Sequence, residues 1–359
     1  MDRQDLHALL TAAMVGETPP QTLGGRVRPG KVKSRLIEAH PPGHDRDGIA
    51  DLLSEISEFS GTRVERLGDD LWGLLADRDV VFFDTLNERF WLLHTTATAD
   101  VLSRFVTKEL LGRPQLDSAW LPASQLSELE GERQWMNSSF FADDLVPTNG
   151  GQNGARRWRL QVEGFAPQDL LEVVRRELPR YAAATSLTAV GSRVVSPGVG
   201  DVQIVADYRG GFVSSGNSFD LVAGVLWRTL DRYETFVRSL ENTHQLRTVA
   251  VGDLGLEISG EIATIYFPEP VGDLSAFVSG LFSCRAPFRL WAVPREVTSG
   301  EWEANAVDLH IGQTLRIEIR RDWMRVLLDA ETCGNTLARL VANLQHRYHA
   351  QTTLSPVAA

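Results

Sequence analysis

Ser218 lies in Ser215-Gly-Asn-Ser-Phe-Asp220, where a strand-like run passes into a helix-like one. A serine on such a turn could be a hydrolase nucleophile. That chemistry needs Gly-x-Ser-x-Gly, because small residues on both sides let the backbone bend sharply under the serine. Gly216 supplies the first glycine, but Asp220 stands where the second belongs. Similar turns occur at Thr96-Ala-Thr-Ala-Asp100 and Cys333-Gly-Asn-Thr336. Ser, Thr, Asn and Asp at a helix start accept hydrogen bonds from its free N–H groups, each worth about 1 kcal/mol. One capping role covers all three turns, whereas a nucleophile covers one. No histidine is placed by a motif as its base.

Metal chemistry has a similar standing. His40-Pro-Pro-Gly-His44-Asp45 holds three potential ligands, but its prolines and glycine forbid the helix that would align them. Further ligands would have to come from elsewhere. His346 and His349 fall near the end of the last helix, where imidazole complements the helix dipole. His94 and His310 sit at strand ends and read as structural. Cys284 and Cys333 have no metal spacing, and no phosphate-binding glycine loop occurs. We therefore assign no catalytic residue, no metal ligand and no cofactor.

Basic segments stand out instead. Arg26, Arg28, Lys31, Lys33 and Arg35 come without an intervening acid, and Arg156, Arg157 and Arg159 surround Trp158. Arg175, Arg176 and Arg180 follow. The first two groups are candidate contacts for phosphate or an acidic partner surface. Of the tryptophans, Trp120, Trp135 and Trp158 fall in or beside irregular segments and are candidate interface aromatics. Trp72, Trp91, Trp227, Trp291 and Trp323 lie within regular patterns and are expected in the core.

The elements that must position these residues follow from periodicity. Phe219, Val222, Leu226, Leu230, Tyr233, Val237 and Leu240 recur every three or four residues, the mark of an amphipathic helix. Ile49, Leu52, Leu53 and Ile56 predict another helix. Short β-branched and aromatic runs, such as Val80–Thr85 and Thr314–Arg320, predict strands in meanders. Residues 1–48 read as an N-terminal helix plus a Pro/Gly-rich basic arm, 49–165 as a first α+β unit, and 166–359 as a second region. That region divides further at 245/246. Strand-to-helix turns recur at about a third of the chain, which suggests duplication.

The expected fold is α+β, with tandem, duplicated units of antiparallel meander sheet and helices on one face. The order helix, about three strands, helix, two strands, helix resembles the YbjN-like and type III secretion chaperone-like folds. That resemblance is one of element order and assigns no residue.

The 359 residues carry a net charge of −11, with 43% hydrophobic and 23% charged side chains. This composition suits a globular chain and disfavours wholesale coating by nucleic acid. No stretch reaches the roughly 20 apolar residues of a membrane span. Two cysteines point to a reducing cytoplasm, and the N-terminus reads as an amphipathic helix, not a signal peptide. The reading that results is a non-enzymatic protein-binding adaptor or chaperone-like subunit of a cytoplasmic assembly. A nucleic-acid-binding subunit using the basic segments, and an unrecognised hydrolase, are the alternatives.

Overall fold

The amphipathic stripe beginning at Phe219 becomes one face of a 26-residue helix, and all seven of its apolar residues are fully buried. The computed structural model describes residues 1–19, 24–41, 46–76, 78–130, 134–142, 158–163, 173, 176–177, 186–250 and 255–355. In chain order the elements begin with α1 (Arg3–Met14), β1 (Val32–Ala39), α2 (Arg46–Ser60), β2 (Arg63–Arg66), β3 (Leu71–Ala76), β4 (Asp79–Asp84) and β5 (Phe90–Thr95). Next come α3 (Ala99–Leu102), which continues as a π-helix over Ser103–Leu110, β6 (Leu116–Ser118), α4 (Ala123–Ser127), β7 (Gln134–Ala142) and β8 (Trp158–Glu163). Then follow β9 (Ser186–Ser196), β10 (Gly200–Asp207), β11 (Gly211–Gly216), α5 (Phe219–His244), β12 (Gln245–Ala250), β13 (Leu256–Ser259) and β14 (Ala263–Tyr266). The chain closes with α6 (Leu274–Leu281), β15 (Leu290–Ala292), β16 (Arg295–Thr298), β17 (Glu301–Asp308), β18 (Thr314–Ile319), β19 (Trp323–Asp329), α7 (Gly334–Arg347) and β20 (Thr353–Ser355).

Helices and antiparallel strands in two sheets make this an α+β protein. The chain divides into two compact units. Unit 1 comprises Met1–Ala119, Glu128–Met136 and Val190–Arg232, and unit 2 comprises Trp120–Ser127, Asn137–Ala189 and Tyr233–Ala359.

In unit 1 the strands run in the order β2-β3-β4-β5-β1-β11-β10-β9, with β6 also on β1. The stretch expected as a basic arm thus contains the central strand. β1 pairs antiparallel with β5 from Lys33↔Thr95 to Glu38↔Phe90, and with β11 from Val32↔Ser214 to Arg35↔Gly211. Ile37, Trp91, Leu93, Val81 and Phe83 on one face pack with Ile49, Leu52, Leu53 and Ile56 of α2 and with Phe105 and Val106. Ion pairs tie the ends down. Arg3 of α1 grips Asp84 through two hydrogen bonds of 2.7 and 2.8 Å, and Arg89 reaches the fully buried Glu38 at 2.7 Å.

In unit 2 the order is β13-β12-β19-β18-β17-β15, with β14 pairing β19 and β20, and β16 pairing β17. Strict alternation sorts the residues. Ala304, Ala306, Leu315, Ile317, Ile319, Met324, Val326 and Leu328 are buried on one face. That face receives α7, whose residues from Gly334 to Leu344 are all buried. A Cβ at Gly334 would lie 2.5 Å from the Val237 carbonyl oxygen, so α7 meets α5 where glycine allows the approach. Phe267, Phe277 of α6 and Tyr348 pack edge to face with centroids 5.1–5.5 Å apart.

The polar side of α7 is buried too, and its ion pair is well supported. Arg339, fully buried, bonds Asp308 at 2.5 Å and the Phe288 carbonyl at 3.0 Å. Thr336 also donates to Asp308, Asn335 accepts from Tyr233, and the Tyr233 hydroxyl accepts the Trp120 N–H at 2.9 Å. Removing one partner of a buried ion pair strands the other charge. Arg339→Leu should therefore lower unfolding stability by about 3–5 kcal/mol, read as a lower urea midpoint. An unchanged midpoint would mean that the pair is not desolvated in solution.

Candidate functional site

The charged groups flagged in the sequence are mostly engaged with the protein itself. Arg28 binds the fully buried Asp79 through two bonds of 2.7 and 2.8 Å, which raises its pKa, and Arg26 stands 3.7 Å from the same carboxylate. Lys33 donates to the Ala97 carbonyl at 2.7 Å. Its pKa is lowered by burial first, then by Lys31 and Arg28 nearby. Arg35 donates to Ser118 Oγ at 2.9 Å, and burial lowers its pKa. Lys31 is exposed beside β1. Arg159 and Trp158 belong to β8 and Trp135 to β7, whereas Arg156 and Arg157 lie outside the described residues. Trp120 is buried. Of the later basic group, Arg176 is exposed and pairs with Glu177 at 2.8 Å, while Arg175 and Arg180 lie outside the described residues.

The three strand-to-helix turns do not share one capping device. Thr98 caps α3, accepting from the Val101 N–H at 3.5 Å. At α7 the cap is the Cys333 sulfur, which accepts from the Asn335 N–H at 3.3 Å. Asn335 and Thr336 are thereby left to bond Tyr233 and Asp308. At α5 the Phe219 N–H donates to Thr11 Oγ1 at 2.8 Å, Asn217 accepts from the Asp201 N–H, and Ser218 is buried. A single motif reading could not see these partners, which come from distant segments.

His40 lies 3.5 Å from the buried Glu38 carboxylate, and His44 and Asp45 fall outside the described residues. In unit 2 a ring nitrogen of His310 and the Cys333 sulfur lie within 4.8 Å of each other. Neither pair alone supplies the three or four protein donors of a zinc site. His346 bonds Ser186 at 2.7 Å, and His349 accepts from the Gln351 N–H at 3.1 Å. In unit 1 a concavity of ≈ 540 Å³ runs along α1 past Ala8, Thr11 and Ala12 to Asp220, whose carboxylate meets His7 at 2.7 Å.

Open chemistry gathers on the other face of the unit 2 sheet. Antiparallel register carries this face across five strands: Tyr266↔Trp323 and Thr264↔Arg325, Arg325↔Glu318, Glu318↔Glu303, and Val307↔Trp291. Tyr266 and Trp291 are each 48% exposed, and Val293 just beyond β15 is 77% exposed. Trp323 is flanked by the Arg325 and Arg320 guanidiniums, 4.5 and 5.3 Å from its ring centroid. Arg316 pairs with Glu303 and Glu318 at 3.2 and 3.1 Å. Sequence pattern alone places Trp291 in the core. It faces out because Leu290 and Ala292 take the inward positions of a three-residue strand.

The fold and this face define an α+β protein of two sheets, each with helices on one face, and an exposed aromatic–arginine surface on the second. The chain belongs to the MJECL33-like protein family, whose model matches residues 2–357. Over 319 residues it is 24% identical to a protein of Methanocaldococcus jannaschii named Uncharacterized protein MJECL33, spanning 78% of this chain and 77% of that one. No helix among the described residues is long and apolar enough to cross a membrane.

One buried histidine gives a measurable signature. His94 bonds Ser34 Oγ at 2.9 Å and meets Phe219 edge-on at 5.2 Å. Burial pulls its pKa down to about 4, partly offset by Asp84 and reinforced by His7. The unfolded chain takes up this proton near pH 6.5, so the stability is complete above that pH and is lost as pH falls toward 4. Unfolding free energy should drop by about 2 kcal/mol between pH 7 and 5, and His94→Gln should flatten that part of the profile. An equal slope in the variant would assign the loss to other groups.

Proposed function

We propose that the protein is a non-enzymatic protein-binding subunit, an adaptor or chaperone-like component of a larger assembly, holding its partner on the open face of the unit 2 sheet. The observation that carries this reading is an open face with aromatics at both ends, Tyr266 beside Trp323 at the start of β19 and Trp291 beside Val307 level with its end, on a sheet whose other face is covered by α7. Exposed Trp, Tyr and Arg are the side chains enriched where partners dock. The mixed charges around them, Arg316 and Arg325 with Glu303 and Glu318, would set orientation more than affinity. Neither Cys284 nor Cys333 is in a disulfide, which fits a reducing cytoplasm as the setting.

The test is affinity purification of the tagged protein from its native host at moderate salt. A protein partner should co-elute in stoichiometric amount. The double variant Tyr266→Ala, Trp291→Ala should weaken its binding at least roughly tenfold, since each aromatic at an interface centre is worth over about 1 kcal/mol. The thermal midpoint should stay nearly unchanged, because both side chains are half in water. A partner retained by the variant would move the interface elsewhere. Co-eluting nucleic acid that disappears at high salt would replace this reading with one centred on the basic residues.

A further inference from the structure

The strongest unassigned feature is a ribbon at the edge of the unit 2 sheet. β12 pairs with β19 at Gln245↔Leu328 and Leu246↔Asp329, and β14 then takes that side of β19. From Arg247 onward β12 has β13 as its neighbour, in register from Arg247↔Ser259 to Ala250↔Leu256. All eight residues Arg247–Ala250 and Leu256–Ser259 are exposed. One face of this ribbon carries Thr248, Ala250, Leu256 and Ile258, and the other carries Arg247, Val249, Glu257 and Ser259. Leu256 and Ile258 are 78% and 71% exposed. Two strands alone are marginal in water, and stability needs a third strand or a packed face.

Among the described residues no strand pairs with the outer edge of β13, and beyond its four-residue length that edge carries none of the usual protection. It has no proline, no lysine and no register shift, and its single charge is Glu257. We infer that β13 pairs antiparallel with β13 of a second copy of this chain across a twofold axis. Self-complementarity selects the occupant. Three symmetric registers overlap at least three of the four strand residues. One sets Glu257 opposite Ile258 of the other copy, which breaks the apolar face. A second sets Glu257 opposite Glu257, and like charges directly opposite destabilise a ladder. The third sets Ile258 opposite Ile258 and Glu257 opposite Ser259. It joins both apolar faces into one four-stranded sheet without a charge conflict. Closed twofold pairing also ends at two copies and leaves no free β13 edge to propagate. This association is independent of what the open sheet face binds.

The test uses the full chain in sedimentation equilibrium from low to high micromolar concentration. The protein should dimerise, and Ile258→Glu, which sets two carboxylates opposite each other, should weaken the dimer at least roughly tenfold. Because that variant could also disorder the ribbon, a second measurement fixes the register. In a Cys284→Ser background, Ile258→Cys should oxidise to a disulfide-linked dimer much faster than Glu257→Cys. A chain that stays monomeric throughout overturns the inference. So does a dimer that is indifferent to Ile258→Glu, or one in which Glu257→Cys crosslinks as fast as Ile258→Cys.

Discussion

Unit 2 depends on the contact between Arg339 and Asp308. Both groups are fully buried, and burying two charges costs several kcal/mol per ion before their attraction is counted. That cost is offset only where the geometry is specific and the remaining donors are filled. Here Asp308 takes Arg339, Thr336 and the His310 N–H, while Arg339 also reaches the Phe288 carbonyl. The pair therefore selects one position of α7 along β17, because a slide by one helical turn would leave both charges bare. Gly334 adds a second lock by admitting the Val237 carbonyl where any side chain would collide. The consequence reaches the surface. With α7 fixed on one face, the alternation of the strands commits Tyr266, Trp291 and Arg325 to the other.

The same matching of charges runs through unit 1. Asp79, Asp84 and Glu38 are buried acids on or beside the central strands, each met by an arginine: Arg28, Arg3 and Arg89. Two of those arginines come from the N-terminal segment. A run of positive charge that reads as an arm for an external acid thus turns partly inward, with Arg28 on Asp79, Lys33 on a backbone carbonyl and Arg35 on Ser118. The Arg28 and Arg3 pairs span 51 and 81 residues of chain, so no local window contains both members.

Periodicity makes some of this legible and not the rest. The α5 stripe is readable because seven apolar residues repeat over a long window, and the α+β class follows from runs of short strands between helices. β1 is hidden by punctuation. Pro29-Gly30 precedes it and Lys33 and Arg35 lie within it, yet Val32, Ser34 and Leu36 alternate with those charges as a strand requires. Counting the cations obscures that alternation. Tryptophan misleads in both directions. Trp120 sits in an irregular segment but is buried with its backbone N–H on Tyr233, and Trp291 sits in a strand but faces water. Membership of a regular element says that a residue alternates, not which of the two faces is covered. That depends on where α7 packs, and its position is set by Arg339, far along the chain from Trp291.

A sheet covered on one side leaves two kinds of surface, and they recognise partners by different means. An open face offers side chains, so its affinity rests on a few aromatic and arginine anchors and is sensitive to their truncation. An open edge offers backbone N–H and C=O groups, so pairing there tolerates many sequences and is disciplined by register, apolar alternation and charge. In unit 2 the anchors and the bare edge occur on one sheet but on different strands: Tyr266, Trp323 and Trp291 on β14, β19 and β15, Leu256 and Ile258 on β13. Side-chain recognition on the face and strand addition at the edge would therefore draw on different residues of this unit.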